Sequence, residues 1–149
     1  MEKIERSREE LAEKLYQWMF AQGNFDVLGA SLYGYELPDW IDYPAVDVVA
    51  RNRNKENRLT FALALTSAEV QPRRTGISPL SQRELAPIAS EWIITLVNTP
   101  LTYPPDQIGK SPDVILAVER QDEEALLKLL HDLGLRVEVG RRIFVEVLD

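Results

Sequence analysis

The sequence predicts a mixed central β-sheet flanked by helices, an α/β or α+β fold with the element order α-β-β-β-α-β-α-β-β. Two observations carry this. Three segments show the 3–4 apolar spacing of helices with one buried face, and the runs 45–50, interrupted by one acid, and 59–66 are apolar at successive positions, as in strands covered on both faces. A third observation bounds the answer: at 149 residues with no evident linker or repeat, the chain reads as a single domain over 1–149.

The first helix is expected over 7–22. Ser7 and Glu10 form a capping-box signature, Leu11, Leu15, Trp18 and Met19 share a face, and Gly23 offers the left-handed stop. From Asn24 to Tyr35 the residues favour β-structure, with Gly29 marking either a bulge or a close backbone approach. Pro38 and Pro44 make 35–44 a loop. Ala45–Ala50 and Leu59–Thr66 then form two strands about a polar turn at 52–57. Ser67–Leu80 reads as a long connection.

A second capping-box pair, Ser81 and Glu84, predicts the next helix, with Leu85, Ile88, Ala89, Trp92, Ile93 and Leu96 as its inner stripe. Pro87 implies a later start or a kink. After a proline-rich loop over 99–112 comes the strand Val114–Val118. Asp122 caps the last helix, whose Leu126, Leu127, Leu130 and Leu133 point inward until Gly134. Leu135–Val139 and Ile143–Val147 alternate with period two about Gly140-Arg141, which predicts a C-terminal β-hairpin.

Composition removes much chemistry. Without cysteine there is no disulfide framework and no thiolate metal site, and a single histidine, His131, excludes any site needing two imidazoles from one chain. His131 suits the negative end of its helix better than a general base, since no partner for it is recognisable. No stretch is long and apolar enough to span a bilayer, and the acid-rich first residues lack the apolar core of a signal peptide, so a cytoplasmic protein is expected. Seventeen basic against 24 acidic residues leave a formal charge of −7, which disfavours a large phosphate-binding face. The local basic candidates for nucleic-acid contact are Arg51, Arg53, Arg73 and Arg74; the plainer reading is solvated, charged turns. No phosphate-cradling glycine loop and no nucleophile elbow occurs, and the acids of 36–42 lack calcium-loop spacing. Tyr35 and Trp40, in an aromatic and acidic loop, are candidates for a protein partner, or else cover the edge of the core.

One constellation points further. A helix with Glu9 and Glu10 near its start precedes a β-meander; the second strand carries Asp47 in Val-Asp-Val-Val-Ala, the third leads into Thr-Ser-Ala-Glu69, and a helix and a strand follow. Over roughly residues 7–119 this resembles the restriction endonuclease-like, or PD-(D/E)XK, superfamily, whose core runs α-β-β-β-α-β. The resemblance implies Asp47 as the second-strand aspartate, which in such nucleases helps hold a divalent metal. On the third strand, however, Phe-Ala-Leu-Ala-Leu-Thr stands where an acid-x-Lys triplet belongs, and no lysine occurs between Lys55 and Lys110. The expectation is therefore a non-catalytic, nuclease-like domain without cofactor, acting through protein contacts or self-association. The alternative is a Mg²⁺-dependent nuclease or DNA-binding relative with migrated acids, using Glu10, Asp47 and Glu69, of which Asp47 and Glu69 would hold the metal with an arginine such as Arg73 in reach. For self-association the C-terminal hairpin offers an edge strand, which Arg136, Glu138, Arg141 and Glu146 would protect by staying charged.

Overall fold

A computed structural model of the chain describes residues 7–148 except 33–35, 42, 44 and 76–82, and for 74, 75, 83 and 84 the backbone alone. Its centre is a five-stranded sheet in the order β1-β2-β3-β6-β7. β1 (Phe25–Ala30), β2 (Val48–Asn52) and β3 (Arg58–Ala64) form an antiparallel meander. β6 (Asp113–Glu119) lies parallel to β3, and β7 (Ile143–Leu148) parallel to β6. β3 is the middle strand, and its residues from Leu59 to Ala64 are all buried.

Its two faces differ in bulk. Leu59, Phe61 and Leu63, continued by Leu65, pack with Leu116, Val118 and the buried sides of α3 (Ala89–Asn98) and α4 (Glu123–Asp132). Ala62 and Ala64 face the other way. With Ala30, Ala50 and Ala117 they make a low, small-residue surface on which α1 (Arg8–Gln22) lays Leu11, Ala12, Leu15 and Met19. The result is a helix–sheet–helix sandwich with one core above the sheet and one below.

Helix α1 begins and ends as its sequence dictates. The Ser7 hydroxyl accepts the Glu10 N–H at 3.2 Å, and Gly23 closes the helix at φ 76°. In β1 both readings of Gly29 hold at once. The pairing with β2 shifts register between Val27 and Gly29, and the backbone of 36–38 passes directly over the glycine.

Several expectations need correction. β2 starts at Val48 rather than Ala45, because Ala45 takes a left-handed φ of 65° and turns the chain away from the sheet. The connection after β3 holds the single-turn helix α2 (Ser67–Val70) and β4 (Arg73–Thr75), which pairs with β5 (Arg83–Leu85). The helix expected from Ser81 is α3 and starts only at Ala89. Glu84 and Leu85 lie in β5, and Ser81 falls outside the described residues. Pro87 decides this: having no N–H to donate, it precedes the helix, and its carbonyl accepts the Ser90 N–H at 3.0 Å. In α4, Leu129 is buried and Leu127 exposed; the inner stripe runs through 126, 129, 130 and 133. Asp122 stands at the N-terminal position of α4, but its carboxylate accepts the Ser67 hydroxyl at 2.6 Å instead of a helix N–H.

The C-terminal hairpin is replaced by a crossover. Residues Arg136–Glu138 form a 3₁₀ turn whose local bonds, such as Glu138 N–H to the Leu135 carbonyl at 2.9 Å, use the groups a strand would have offered. α4 carries the chain across the sheet, so β7 returns parallel beside β6, the direction such a helical crossover imposes. Arg136, Glu138 and Arg141 therefore do not lie on the edge strand; Glu146 does.

A Cβ at position 29 would stand 2.5 Å from the Glu36 carbonyl oxygen and 2.7 Å from Pro38 Cδ. Gly29→Ala is expected to cost roughly 1–3 kcal/mol by overpacking against backbone. Urea melts of the two proteins check this, and a variant as stable as the parent would contradict the close approach.

Candidate functional site

At the edge of the sheet where β3 ends, the antiparallel β2 begins, and this brings Asp47 beside Ala64. The turn at Ala45 withdraws the β2 backbone just where the Ala64 N–H needs a ladder partner. The Asp47 carboxylate supplies it, its Oδ2 accepting that N–H at 2.8 Å. Burying a carboxylate is costly unless it is paired. Arg8, the first residue of α1, provides the charge: its Nη2 lies 2.9 Å from Asp47 Oδ2 and its Nε 3.3 Å from Oδ1.

The same guanidinium reaches a second acid. Arg8 Nη1 donates to Glu69 Oε2 at 2.7 Å, and Nη2 also donates to the Ala45 carbonyl. Glu69 is held by its own turn, its Oε1 accepting the Thr66 N–H at 2.8 Å and the Thr66 hydroxyl at 3.0 Å. Thr-Ser-Ala-Glu is a capping-box sequence, which explains why a four-residue helix forms directly after β3. Trp92 of α3 covers the arginine, its ring centroid 5.2 Å from Cζ, a cation–π arrangement. Three helices and the turn that precedes β2 thus meet on one guanidinium.

The electrostatics are strained in a specific way. Asp47 is nearly inaccessible, and desolvation pushes its carboxyl up to about 6 from the usual 3.8. The opposing pull of Arg8 and of the Ala64 N–H is the smaller effect, and the nearby Glu69 charge adds to the rise. Arg8 also sits at the positive end of α1, where a cation is disfavoured. The two carboxylates offset that cost.

The candidate acids therefore separate. Asp47 and Glu69 are brought together; Glu10 is not, being exposed on α1 beside a cleft of about 1050 Å³ that Ser31, Leu32, Glu36 and Leu37 also line. Arg73 does not supply the cation either. Its Nε donates to the Ala86 carbonyl at 2.9 Å and its Nη2 lies 3.7 Å from Glu91. Among the described residues no group of three or more His, Cys, Asp or Glu is placed to hold a metal ion.

The basic candidates are largely neutralised. Arg51 binds both oxygens of Asp106, at 2.7 and 3.1 Å, and holds that carboxyl well below the usual range. Arg53 lies 3.4 Å from Asp26 and donates to the Gly23 carbonyl. Lys55 and Arg58 both pair with the buried Asp113, at 2.8 and 2.9 Å, at the opposite end of β3 and β6. A cleft of about 560 Å³ opens there, lined also by Glu56, Glu138, Arg141 and Arg142. For Arg74 only the backbone, in β4, is described. Trp40 is half-buried, packs on the core edge and meets the tilted ring of Tyr103 at 5.2 Å, while Tyr43 meets Phe61 at 5.1 Å. Tyr35 lies outside the described residues. His131 is exposed in the last turn of α4, at the negative helix end.

Sequence reasoning missed Arg8 and Trp92. The one available signal for Arg8 was a cation at a helix start otherwise filled with glutamate, a position that calls for a compensating acid. No protein family, curated protein or solved structure matches this chain.

Because the folded-state value of Asp47 is raised, the folded protein holds a proton there between about pH 4 and 6 that the unfolded chain releases. The stability this confers is complete below pH 4 and is lost as pH rises through 6. Relative to Asp47→Asn, which cannot titrate, the parent should lose up to roughly 3 kcal/mol between pH 4 and pH 7. Denaturant melts at several pH values measure the difference; a pH-independent gap between the two proteins would contradict the assignment.

Proposed function

We propose that this chain is a non-catalytic domain built on a restriction endonuclease-like α/β core, and that it works through protein contacts rather than by cleaving nucleic acid. The observation that carries this reading is the guanidinium of Arg8 lying between Asp47 and Glu69. A divalent metal needs unshared carboxylate oxygens. Here a fixed internal cation uses them, and the space behind is closed by the Ala64 N–H and the Trp92 ring. The described meander, followed by a helix and a parallel strand, agrees with the family's element order. The third strand presents only Ala62, Leu63 and Ala64 at its end, with no group able to move a proton or steady a developing charge.

The alternative, a metal-dependent nuclease with relocated acids, draws support from the convergence of Asp47 and Glu69. It requires Arg8 to leave and a third ligand to arrive, and Glu10 is on another face.

One pair of measurements separates the two readings. Thermal melts in EDTA and then in Mg²⁺ or Mn²⁺ should coincide, and incubation of DNA or RNA with either metal should give no cleavage. A metal-dependent rise in Tm together with cleavage that Asp47→Asn abolishes would overturn the non-catalytic reading.

A further inference from the structure

The surroundings of Arg8 have the makeup of a receptor whose ligand is carried on the same chain. Its Nε and Nη2 donate to Asp47, Nη2 also to the Ala45 carbonyl, and Nη1 to Glu69, so four N–H groups of the guanidinium find acceptors. The Trp92 ring takes one flat side, 5.2 Å from Cζ. The two carboxylates are also held by bonds that do not involve Arg8. Asp47 accepts the Ala64 N–H, and Glu69 accepts the N–H and hydroxyl of Thr66. A fork of fixed acceptors beside an aromatic face suits a planar guanidinium; an ammonium, a point charge with three donors, fills it poorly.

The ligand is held less firmly than the receptor. Arg8 is the first residue of α1 and partly exposed, Ser7, Glu9 and Glu10 are exposed, and the first buried residue of the helix is Leu11. Lifting Arg8 breaks the Ser7 cap at 3.2 Å and the bond from the Leu11 N–H to the Ser7 carbonyl at 3.1 Å. It withdraws no apolar side chain of α1 from the core. Helix ends open at small free-energy cost, and the positive end of α1 disfavours the cation it carries. The cleft that begins at Ser7 is lined by Glu9, Glu10, Glu13 and Glu36 and by no described lysine or arginine, which favours a basic segment alongside.

Resting on the reading of this chain as a domain that acts by contact, we propose that Asp47, Glu69, the Ala45 carbonyl and Trp92 form a binding site for an arginine side chain of a partner protein. Arg8 fills the site in the free chain and gives way when that arginine enters. Exchanging one guanidinium for another leaves both carboxylates paired, so it opens no metal site. The affinity of the partner is reduced by the fraction of time that Arg8 occupies the site, and contacts of its basic segment with the glutamate-lined cleft offset that loss.

NMR titration of the intact chain with N-acetylarginine amide, read at the Trp92 indole, tests this. Arg8→Ala should bind the probe saturably, and the lysine counterpart at least about tenfold more weakly. Adding Glu69→Gln to Arg8→Ala should weaken binding of the arginine probe by a similar factor. The parent should move toward the same end point with a dissociation constant about tenfold higher, since Arg8 competes. Should Arg8→Ala fold poorly, Arg8→Lys keeps the charge, and millimolar ethylguanidinium should raise the Tm of either variant more than ethylammonium does; guanidinium unfolds proteins only at molar concentration. Variants indifferent to guanidinium, or equally responsive to ammonium, would overturn the proposal. So would a parent that binds as tightly as Arg8→Ala, or one unmoved at about twenty times the dissociation constant of that variant. Failure here leaves the metal and cleavage results as they stand, and cleavage would leave a guanidinium response of Arg8→Ala intact.

Discussion

The constraint on which the rest of the structure depends is the burial of β3 on both sides with unequal bulk. Leucine and phenylalanine fill one face; alanine alone lines the other near the strand's end. Each large side chain taken out of water contributes about 2 kcal/mol, and the two helices that cover the bulky face are held chiefly by that effect. The alanine face does something different: it brings α1 close. A helix lying on such a surface delivers its first residue, Arg8, to the point where β3 stops and β2 begins.

Electrostatics then follow from geometry. The Ala64 N–H lacks a backbone partner because Ala45 turns the chain, and the nearest acceptor is the Asp47 side chain. A carboxylate committed to a buried N–H needs a cation, and Arg8 is the one that α1 places there. The assembly resembles other buried ion pairs in that desolvation outweighs attraction, so it contributes register and orientation more than stability. It ties the start of a helix, the end of a strand, a turn and the Trp92 ring to one planar group.

Much of the scaffold was legible because its signals are local. The caps of α1, the bulge at Gly29 and the continuous apolar runs of β3 and β6 each state their role within a few residues. The failures came where a local pattern had two solutions. Residues 135–147 alternate as a hairpin would, yet period two reports only which face a residue uses and says nothing of the partner strand; the crossover by α4 settled that. Ser81 and Glu84 have helix-cap spacing, but Pro87 cannot continue a ladder that starts so early. Of the candidate site, Asp47 and Glu69 could be named singly. Their meeting on Arg8 spans 39 and 61 positions of chain and leaves no trace in either neighbourhood.

The small side chains under α1 also limit what this chain can become. Ala62 and Ala64 are buried in one cluster with Leu11, Leu15 and Met19 of the helix above them. Any longer group there would lever the helix outward before it met solvent. Single substitutions in the strand alone therefore loosen the packing, so that strand and helix can change only together, like two halves of a mould.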